Sequence, residues 1–323
     1  MTPSVIRIAL PWAVQAAASD GTTVWCAGDG HLRVHTASGT FVADGAVPAG
    51  LRSLAAVPGT VPVTAGVPGT LTGTVVVPRS LADPPPAEAD SLSGTLAGAD
   101  GEHVHWLAAA CGTPLAKVPF RGRVQSGCGE IWAVGDGGAR RLVAPGRLGD
   151  LVDLPGLDRC AIDGRRLWWT SRHDTLLRGG PRTVDLDQPK RVPRERATGR
   201  RRRPAAGNTD VTARKGARRA DRGAMTVCAG SLWISVPDGL VRVSAWSGEP
   251  RRRLKVPAGP VPFLVCANGV LVGGGARELF VLNPLATRTT RLRLDAPLAH
   301  LVPAGKHVWA FPANRPEALI IPV

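Results

Sequence analysis

Two histidines one residue apart form the pair in this chain that most resembles a metal site. His103 and His105 share one face of a predicted strand, because alternate residues of a strand point the same way. Imidazoles are common zinc ligands, but a zinc site needs at least three protein ligands, and no third one stands at a recognisable spacing. The pattern favours a structural histidine pair, and a metal pair is the alternative.

Four aspartates recur at comparable places in the chain, but their neighbours indicate turns rather than catalysis. Three of the four precede glycine, a dipeptide typical of two-residue hairpins. The four are Asp29, Asp136, Asp174 and Asp238. The run from Gly273 to Arg277 is glycine-rich, but no predicted helix follows it, which argues against a phosphate-binding loop. The sequence therefore predicts no cofactor and leaves any catalytic residue unknown.

Six cysteines are present, and four of them stand one to four residues before a glycine of the repeat described below. These four are Cys128, Cys160, Cys228 and Cys266. Small residues such as alanine occupy the same place elsewhere, and we expect equivalent places in different repeats to diverge in space. We therefore predict buried, unpaired cysteines, and with them a reducing cytoplasmic compartment.

A strongly basic segment runs from residue 188 to 223 and is called the basic arm below. It holds 13 Lys or Arg and three acidic residues, for a net charge of +10 out of +15 in the whole chain. It has almost no large aliphatic residue, so we predict a disordered insertion within one repeat. Its densest candidates for contact with nucleic acid or an acidic partner are Arg200, Arg201, Arg202, Arg203, Arg214, Lys215, Arg218 and Arg219.

Three interpretations of the basic arm stay open. It could neutralise phosphates of nucleic acid, attract an acidic protein, or be a loop without function. No aromatic residue stands between Arg182 and Trp233, which argues against base stacking within the arm.

The elements that must position these residues come from a repeat. Glycine, two to four residues and then tryptophan recurs at a spacing near 40, and such a period indicates stacked supersecondary units. We expect these tryptophans to be structural wedges between units. They are Trp25, Trp106, Trp132, Trp168, Trp233 and Trp309. Two further copies, at Gly59 and Gly269, lack the tryptophan.

The spacing predicts a closed ring. From Gly305 to the last residue there are 18 residues, and 21 more run from the first residue to Gly21, which together make one more period. Apolar runs of about five residues separated by turns such as Pro237-Asp-Gly239 fit four antiparallel strands per period. We predict one all-β domain over residues 1–323, a β-propeller closed by pairing of the N- and C-terminal strands. Seven blades are expected, one of them irregular with an extra signature, and eight are the alternative.

Phrases such as Gly230-Ser-Leu-Trp-Ile and Asp238-Gly-Leu-Val-Arg-Val resemble bacterial propellers with sensor-type, virginiamycin-lyase-like and quinoprotein-like repeats. The resemblance implies the fold, and it transfers no catalytic residue because the shared positions are turn and packing positions. The Gly-His and Trp-Asp pairs of WD40 repeats are absent from the repeat.

Two classes of function remain at this stage. The favoured one is a non-enzymatic interaction platform with a protein partner, with nucleic acid as a further partner through the basic arm. The alternative is a hydrolase or lyase with a metal at the central channel, as the lyase-like resemblance allows.

No uncharged apolar run reaches 18 residues, so no membrane span is expected. The apolar stretch from Val5 to Leu10 lacks a basic start and contains Arg7, which favours a strand over a signal peptide.

Overall fold

The structure, a computed structural model, describes residues 4–56, 94–127, 129–135, 137–163, 166–171, 176–179, 184–186, 224–237, 239–254, 261–275, 277–283 and 289–323. These residues form 28 strands in seven antiparallel sheets of four, the blades of a β-propeller. The predicted all-β fold with seven blades is confirmed, and the alternative of eight is wrong. Within the described ranges there is no helix, and thus none long and apolar enough to cross a membrane.

The first strand of the chain, β1 (Ile6–Ala9), belongs to the last blade, and the first four blades then follow in order. Blade 1 contains β2 (Ala16–Ser19), β3 (Thr23–Gly28), β4 (His31–Thr36) and β5 (Phe41–Ala46). Blade 2 contains β6 (Ser53–Ala55), β7 (Thr95–Ala99), β8 (His103–Ala108) and β9 (Pro114–Pro119). Blade 3 contains β10 (Arg123–Gly127), β11 (Glu130–Gly135), β12 (Gly138–Ala144) and β13 (Arg147–Val152). Blade 4 contains β14 (Leu157–Asp163), β15 (Arg166–Ser171), β16 (Leu176–Arg178) and β17 (Val184–Asp185).

The remaining three blades complete the ring. Blade 5 contains β18 (Met225–Cys228), β19 (Ser231–Val236), β20 (Gly239–Ser244) and β21 (Pro250–Leu254). Blade 6 contains β22 (Phe263–Ala267), β23 (Val270–Gly274), β24 (Glu278–Leu282) and β25 (Thr289–Arg293). Blade 7 contains β26 (Leu298–Ala304), β27 (His307–Pro312) and β28 (Glu317–Pro322), with β1 as its outer strand.

Ring closure occurs as the sequence predicts. The N-terminal strand β1 pairs antiparallel with β28, with Ile6 opposite Ile320 and Ala9 opposite Glu317. The first strands of the seven blades contact one another around the axis and so form the innermost layer. Each blade therefore has an inner strand at the axis and an outer strand at the rim.

The repeated glycine marks the turn from the inner strand to the second strand. Gly230 has φ +66° and follows Ala229 at φ 48°, and Gly269 has φ +73° and follows Asn268 at φ 49°. Two successive residues with positive φ form the type I′ turn, whose twist matches that of the flanking strands. Asp29, at φ 51°, and Gly30 form the same turn between β3 and β4, so this aspartate marks a hairpin.

Blade 2 is the irregular blade. Its inner strand β6 pairs with β7, and the 37 residues between 57 and 93 stand between them in the sequence, outside the described ranges. Gly101 therefore lies in the turn from the second to the third strand, and Trp106 lies on the third strand β8. The predicted copy at Gly59 falls outside the described residues. The sequence contains eight copies of the signature for seven blades, and the extra copy is the one at Gly101, in the hairpin between β7 and β8 of blade 2.

The apolar core is divided among the boundaries between blades. Trp25 of blade 1 packs with Leu54 and Leu96 of blade 2, and its Nε1 donates to the carbonyl oxygen of Ala109 at 2.8 Å. Trp309 of blade 7 packs in the same way against blade 1. Five of the six signature tryptophans are fully buried; these are Trp25, Trp106, Trp168, Trp233 and Trp309. The sixth, Trp132, is half-buried.

Candidate interaction surface

The basic arm lies outside the described residues, so its eight candidate contact residues stay sequence predictions. The residues on either side of it are described. Leu186 is buried in a cluster shared by blades 4 and 5. On the other side the amide of Ala224 donates to the carbonyl oxygen of Val261 at 2.8 Å. The described residues that flank the arm are thus anchored in the ring.

The histidine pair is organised by a carboxylate. His105 Nε2 lies 2.9 Å from Asp100 Oδ2, and His103 Nδ1 lies 3.5 Å from the same oxygen. Desolvation opposes the charged form, but hydrogen bonds from His105 and from the amides of Glu102 and His103 hold the pKa of Asp100 well below its usual range. The carboxylate therefore fixes the β7–β8 hairpin. No group of three or more His, Cys, Asp or Glu in the described part of the chain could hold a metal.

The inner strands do not assemble an acidic or imidazole cluster from the described side chains. Asp158 and Arg159 pair at 3.7 Å within β14. On β26 burial lowers the pKa of His300, although hydrogen bonds with the backbone of Gln15 and Val14 oppose that shift. The described innermost layer thus offers neither converging carboxylates nor converging imidazoles for the alternative enzyme at the channel.

Two of the cysteines are paired. Cys228 at the end of β18 and Cys266 near the end of β22 form a disulfide, with their Cα atoms 5.3 Å apart. The prediction of unpaired cysteines is wrong for these two. Inner strands of neighbouring blades converge on the axis, so equivalent positions approach one another instead of diverging. The expectation of a reducing compartment rested on unpaired cysteines, and this disulfide removes that argument.

The other cysteines with described side chains are thiols. Burial raises the pKa of Cys26 and of Cys160, which disfavours the reactive thiolate. Cys111 is exposed, and its hydrogen bonds with Thr113 lower its pKa. None of the three stands beside a general base that would make it a catalytic nucleophile among the described groups.

A cleft of about 340 Å³ opens between blades 3 and 4. Its lining is mainly apolar, and two tryptophans, Trp132 and Trp169, form part of its walls. The outer strand β13 beside it exposes Leu151 and Val152, at 50% and 40% of their surface. Trp132 is only half-buried because its side of the blade boundary stays open as this cleft.

The most exposed large apolar side chain in the described ranges stands next to this cleft. Trp246 exposes 82% of its surface, on the turn between β20 and β21 of blade 5. Arg166 lines the cleft and holds the turn, because its Nη1 donates to the carbonyl oxygens of Ala245 and Trp246 at 3.1 Å each. Its guanidinium also lies over the indole, 5.7 Å from the ring centroid.

Trp246 departs from the repeat. The corresponding turn of blade 1, between β4 and β5, carries Ser38 instead of a tryptophan. The two turns are closed by similar hydrogen bonds: the amide of Gly39 donates to the carbonyl oxygen of Thr36, and the amide of Gly248 donates to that of Ser244. The sequence alone distinguishes Trp246 from the tryptophans of the repeat, because it lies outside the glycine–tryptophan signature and inside a turn that reads Ser-Ala-Trp-Ser-Gly. This departure from the repeat is apolar, whereas catalysis would require polar side chains.

Comparison with solved structures supports the architecture. The chain is similar to PorZ, an essential bacterial surface component of the type-IX secretion system of Porphyromonas gingivalis, with a TM-score of 0.60 and 12% sequence identity. The alignment covers 98% of this chain and 38% of that protein, so this chain spans well under half of its length. At this identity the likeness shows the propeller fold alone. No protein-family model and no curated protein matches the chain, so the kind of repeat stays a prediction.

Proposed function

We propose that this propeller is a non-enzymatic interaction platform and that its docking surface is centred on Trp246. The observation that carries the proposal is a tryptophan with 82% of its surface exposed on a turn that a neighbouring blade holds in place. Tryptophan and arginine are the residues most enriched in the energetic centres of protein interfaces. A pre-ordered aromatic side chain also loses little entropy on binding.

The surroundings of Trp246 support a protein partner. The apolar cleft between blades 3 and 4 lies on the other side of Arg166, and the exposed Leu151 and Val152 extend the apolar surface along β13. Exposed apolar groups near a pocket are typical of protein docking sites. PorZ is itself described as a component of a secretion system, which agrees with a platform role for this fold.

The basic arm supplies long-range attraction in this proposal. With a net charge of +10, it would speed the encounter with a partner that carries negative charge, either an acidic protein or nucleic acid. The arm then adds affinity and encounter rate, while the surface around Trp246 supplies specificity.

Site-directed photo-crosslinking in the cells that produce the protein tests the docking surface. A photoreactive amino acid replaces Ser247 beside Trp246, and Ser38 on the equivalent turn of blade 1 is the matched control site. We expect a discrete crosslinked adduct from position 247 only, and its loss on Trp246→Ala with the melting temperature unchanged. Equal adducts from both sites, or an adduct that survives Trp246→Ala, would contradict the proposal.

A further inference from the structure

Blade 5 places two arginines directly opposite one another. Arg242 on β20 pairs in register with Arg252 on the outer strand β21. Like charges that face each other across two strands destabilise a sheet, whereas opposite charges stabilise it. In blade 1 the cross-strand partner of Arg33 is instead Asp44, and the two form an ion pair at 2.7 Å. The arrangement in blade 5 therefore lacks the anion that would balance it.

A third arginine joins this row through an irregularity of the strand. The register between β20 and β21 shifts between Arg242 and Val243, so Arg251 has no residue directly opposite it. Arg251 Nη2 lies 3.4 Å from Ser244 Oγ, and Arg242 Nε donates to Ser231 Oγ at 3.0 Å. Both serines lie on the same face as Arg242, since Ser244 is two residues along its strand and Ser231 is opposite Ser244. Three guanidinium groups thus share one face of blade 5.

That face looks toward blade 6. Trp233, directly opposite Arg242, packs in one apolar cluster with Phe280 of blade 6. Phe280 is in turn opposite Arg291 on the outer strand β25, and Arg293 lies two residues further on the same face. The outer ends of blades 5 and 6 therefore present arginines toward one another. This arginine cleft comprises Arg242, Arg251, Arg252, Arg291 and Arg293.

The five arginines of the cleft form no ion pair with any residue that the structure describes, although Glu278 stands opposite Arg293 in the register. Exposed arginines elsewhere do find carboxylates, as Arg7 does with Asp295 at 2.9 Å. The walls of the cleft are held in place at its inner end, where the disulfide and the apolar cluster around Trp233 join the two blades. Arg242 and Arg251 are also held by their serine contacts, and the positive charge of the whole cleft favours an anionic group.

We propose that the arginine cleft binds an acidic peptide segment of a partner protein. Guanidinium groups bind carboxylates in bidentate pairs, and several of them in one cleft select a chain with several carboxylates. A peptide fits better than nucleic acid for two reasons. The strand β21 ends its sheet and so offers a backbone edge to an extended peptide. The exposed aromatic nearby, Trp246, leans toward Arg166 of blade 4 and away from the cleft, so no stacking platform stands among its described residues.

This inference deepens the proposed function, because it names the chemistry of one partner, but its test is separate from the surface around Trp246. The probe is a dye-labelled peptide of twelve residues in which glutamate alternates with threonine, with a dT12 oligonucleotide as the second probe. Binding is followed by fluorescence anisotropy with the full-length protein. The test variant is Arg252→Glu/Arg291→Glu. The control is Arg121→Glu/Arg147→Glu, which makes the same change of charge at two exposed positions, one in the connection before blade 3 and one on its outer strand β13.

Because both variants keep the basic arm, any binding by the arm affects them equally. We expect the test variant to weaken peptide binding at least tenfold, the control to change it less than threefold, and Trp246→Ala to leave it unchanged. Equal losses in the two charge variants would show a general charge effect and overturn the proposal. Loss of dT12 binding in the test variant without loss of peptide binding would assign the cleft to nucleic acid and overturn it as well.

Discussion

At the scale of single residues, tryptophan has two opposite roles in this chain. Five of the six signature tryptophans are buried at blade boundaries, while Trp246 is exposed on a turn. The sequence predicted the first role because a fixed place in a repeat implies a fixed place in the packing. It missed the second because a turn residue makes no periodic pattern, and only the structure shows that Arg166 holds that turn.

The difference in burial predicts a graded response to truncation. Trp233→Ala should lower the free energy of unfolding by about 3–5 kcal/mol, because it leaves a cavity between blades 5 and 6. Trp132→Ala should cost clearly less, since that side chain is half-buried beside an open cleft. Urea unfolding followed by circular dichroism measures both, and Trp246→Ala is the exposed control. A destabilisation by Trp132→Ala as large as that by Trp233→Ala would contradict the assignment of the cleft.

At the scale of strands and blades, the repeat predicted most of the architecture. The turn glycines, the four-stranded unit and the pairing of β1 with β28 follow from spacing and turn chemistry. The exception in blade 2 could not be located from the sequence, because its second strand β7 lacks the tryptophan that marks the second strand of most other blades. The disulfide was missed because sequence spacing does not reveal how closely inner strands converge at the axis.

The disulfide leads to a prediction about the boundary between blades 5 and 6. It closes a loop with a sequence separation of 38 residues, for which chain entropy gives a stabilisation of about 4 kcal/mol. In the absence of reductant, the variant Cys228→Ala/Cys266→Ala should therefore unfold at a lower urea concentration than the parent protein. Adding dithiothreitol should remove most of that difference. Identical midpoints for parent and variant without reductant would show that the two thiols do not bond in solution.

At the scale of the whole molecule, charge is distributed unevenly around the ring. The basic arm contributes +10, and the arginine cleft adds five cations on the two outer strands and on β20 of blades 5 and 6. The arm is read from composition and its disordered form stays a prediction, whereas composition could not predict the cleft. The cleft depends on which face each strand presents and on the register between β20 and β21. The cleft also lies close to the arm in the sequence, because blade 5, which carries three of the cleft arginines, begins with β18 just after the arm.

This arrangement predicts that the arm can be removed without unfolding the ring. Leu186 and Ala224, on either side of it, are held by contacts of their own in blades 4 and 5. A replacement linker must lead from the outer strand of blade 4 to the inner strand of blade 5, roughly three strand spacings or about 14 Å. A flexible Gly/Ser linker of about ten residues has a typical span of about 17 Å and should suffice. The melting temperature of this variant should match that of the parent.

Binding should change even though folding does not. If the arm neutralises phosphates, its removal should weaken binding to duplex DNA and to single-stranded RNA alike. It should also flatten the dependence of log K on log salt concentration by about 0.9 for each duplex phosphate that the arm neutralises in the parent. The neutralised variant Arg200→Gln/Arg201→Gln/Arg202→Gln/Arg203→Gln should show part of that change. If the partner is an acidic protein, removal should mainly slow association. Identical affinities and association rates for parent and variant at every salt concentration would leave the arm without a role, and the surface around Trp246 and the arginine cleft would then act alone.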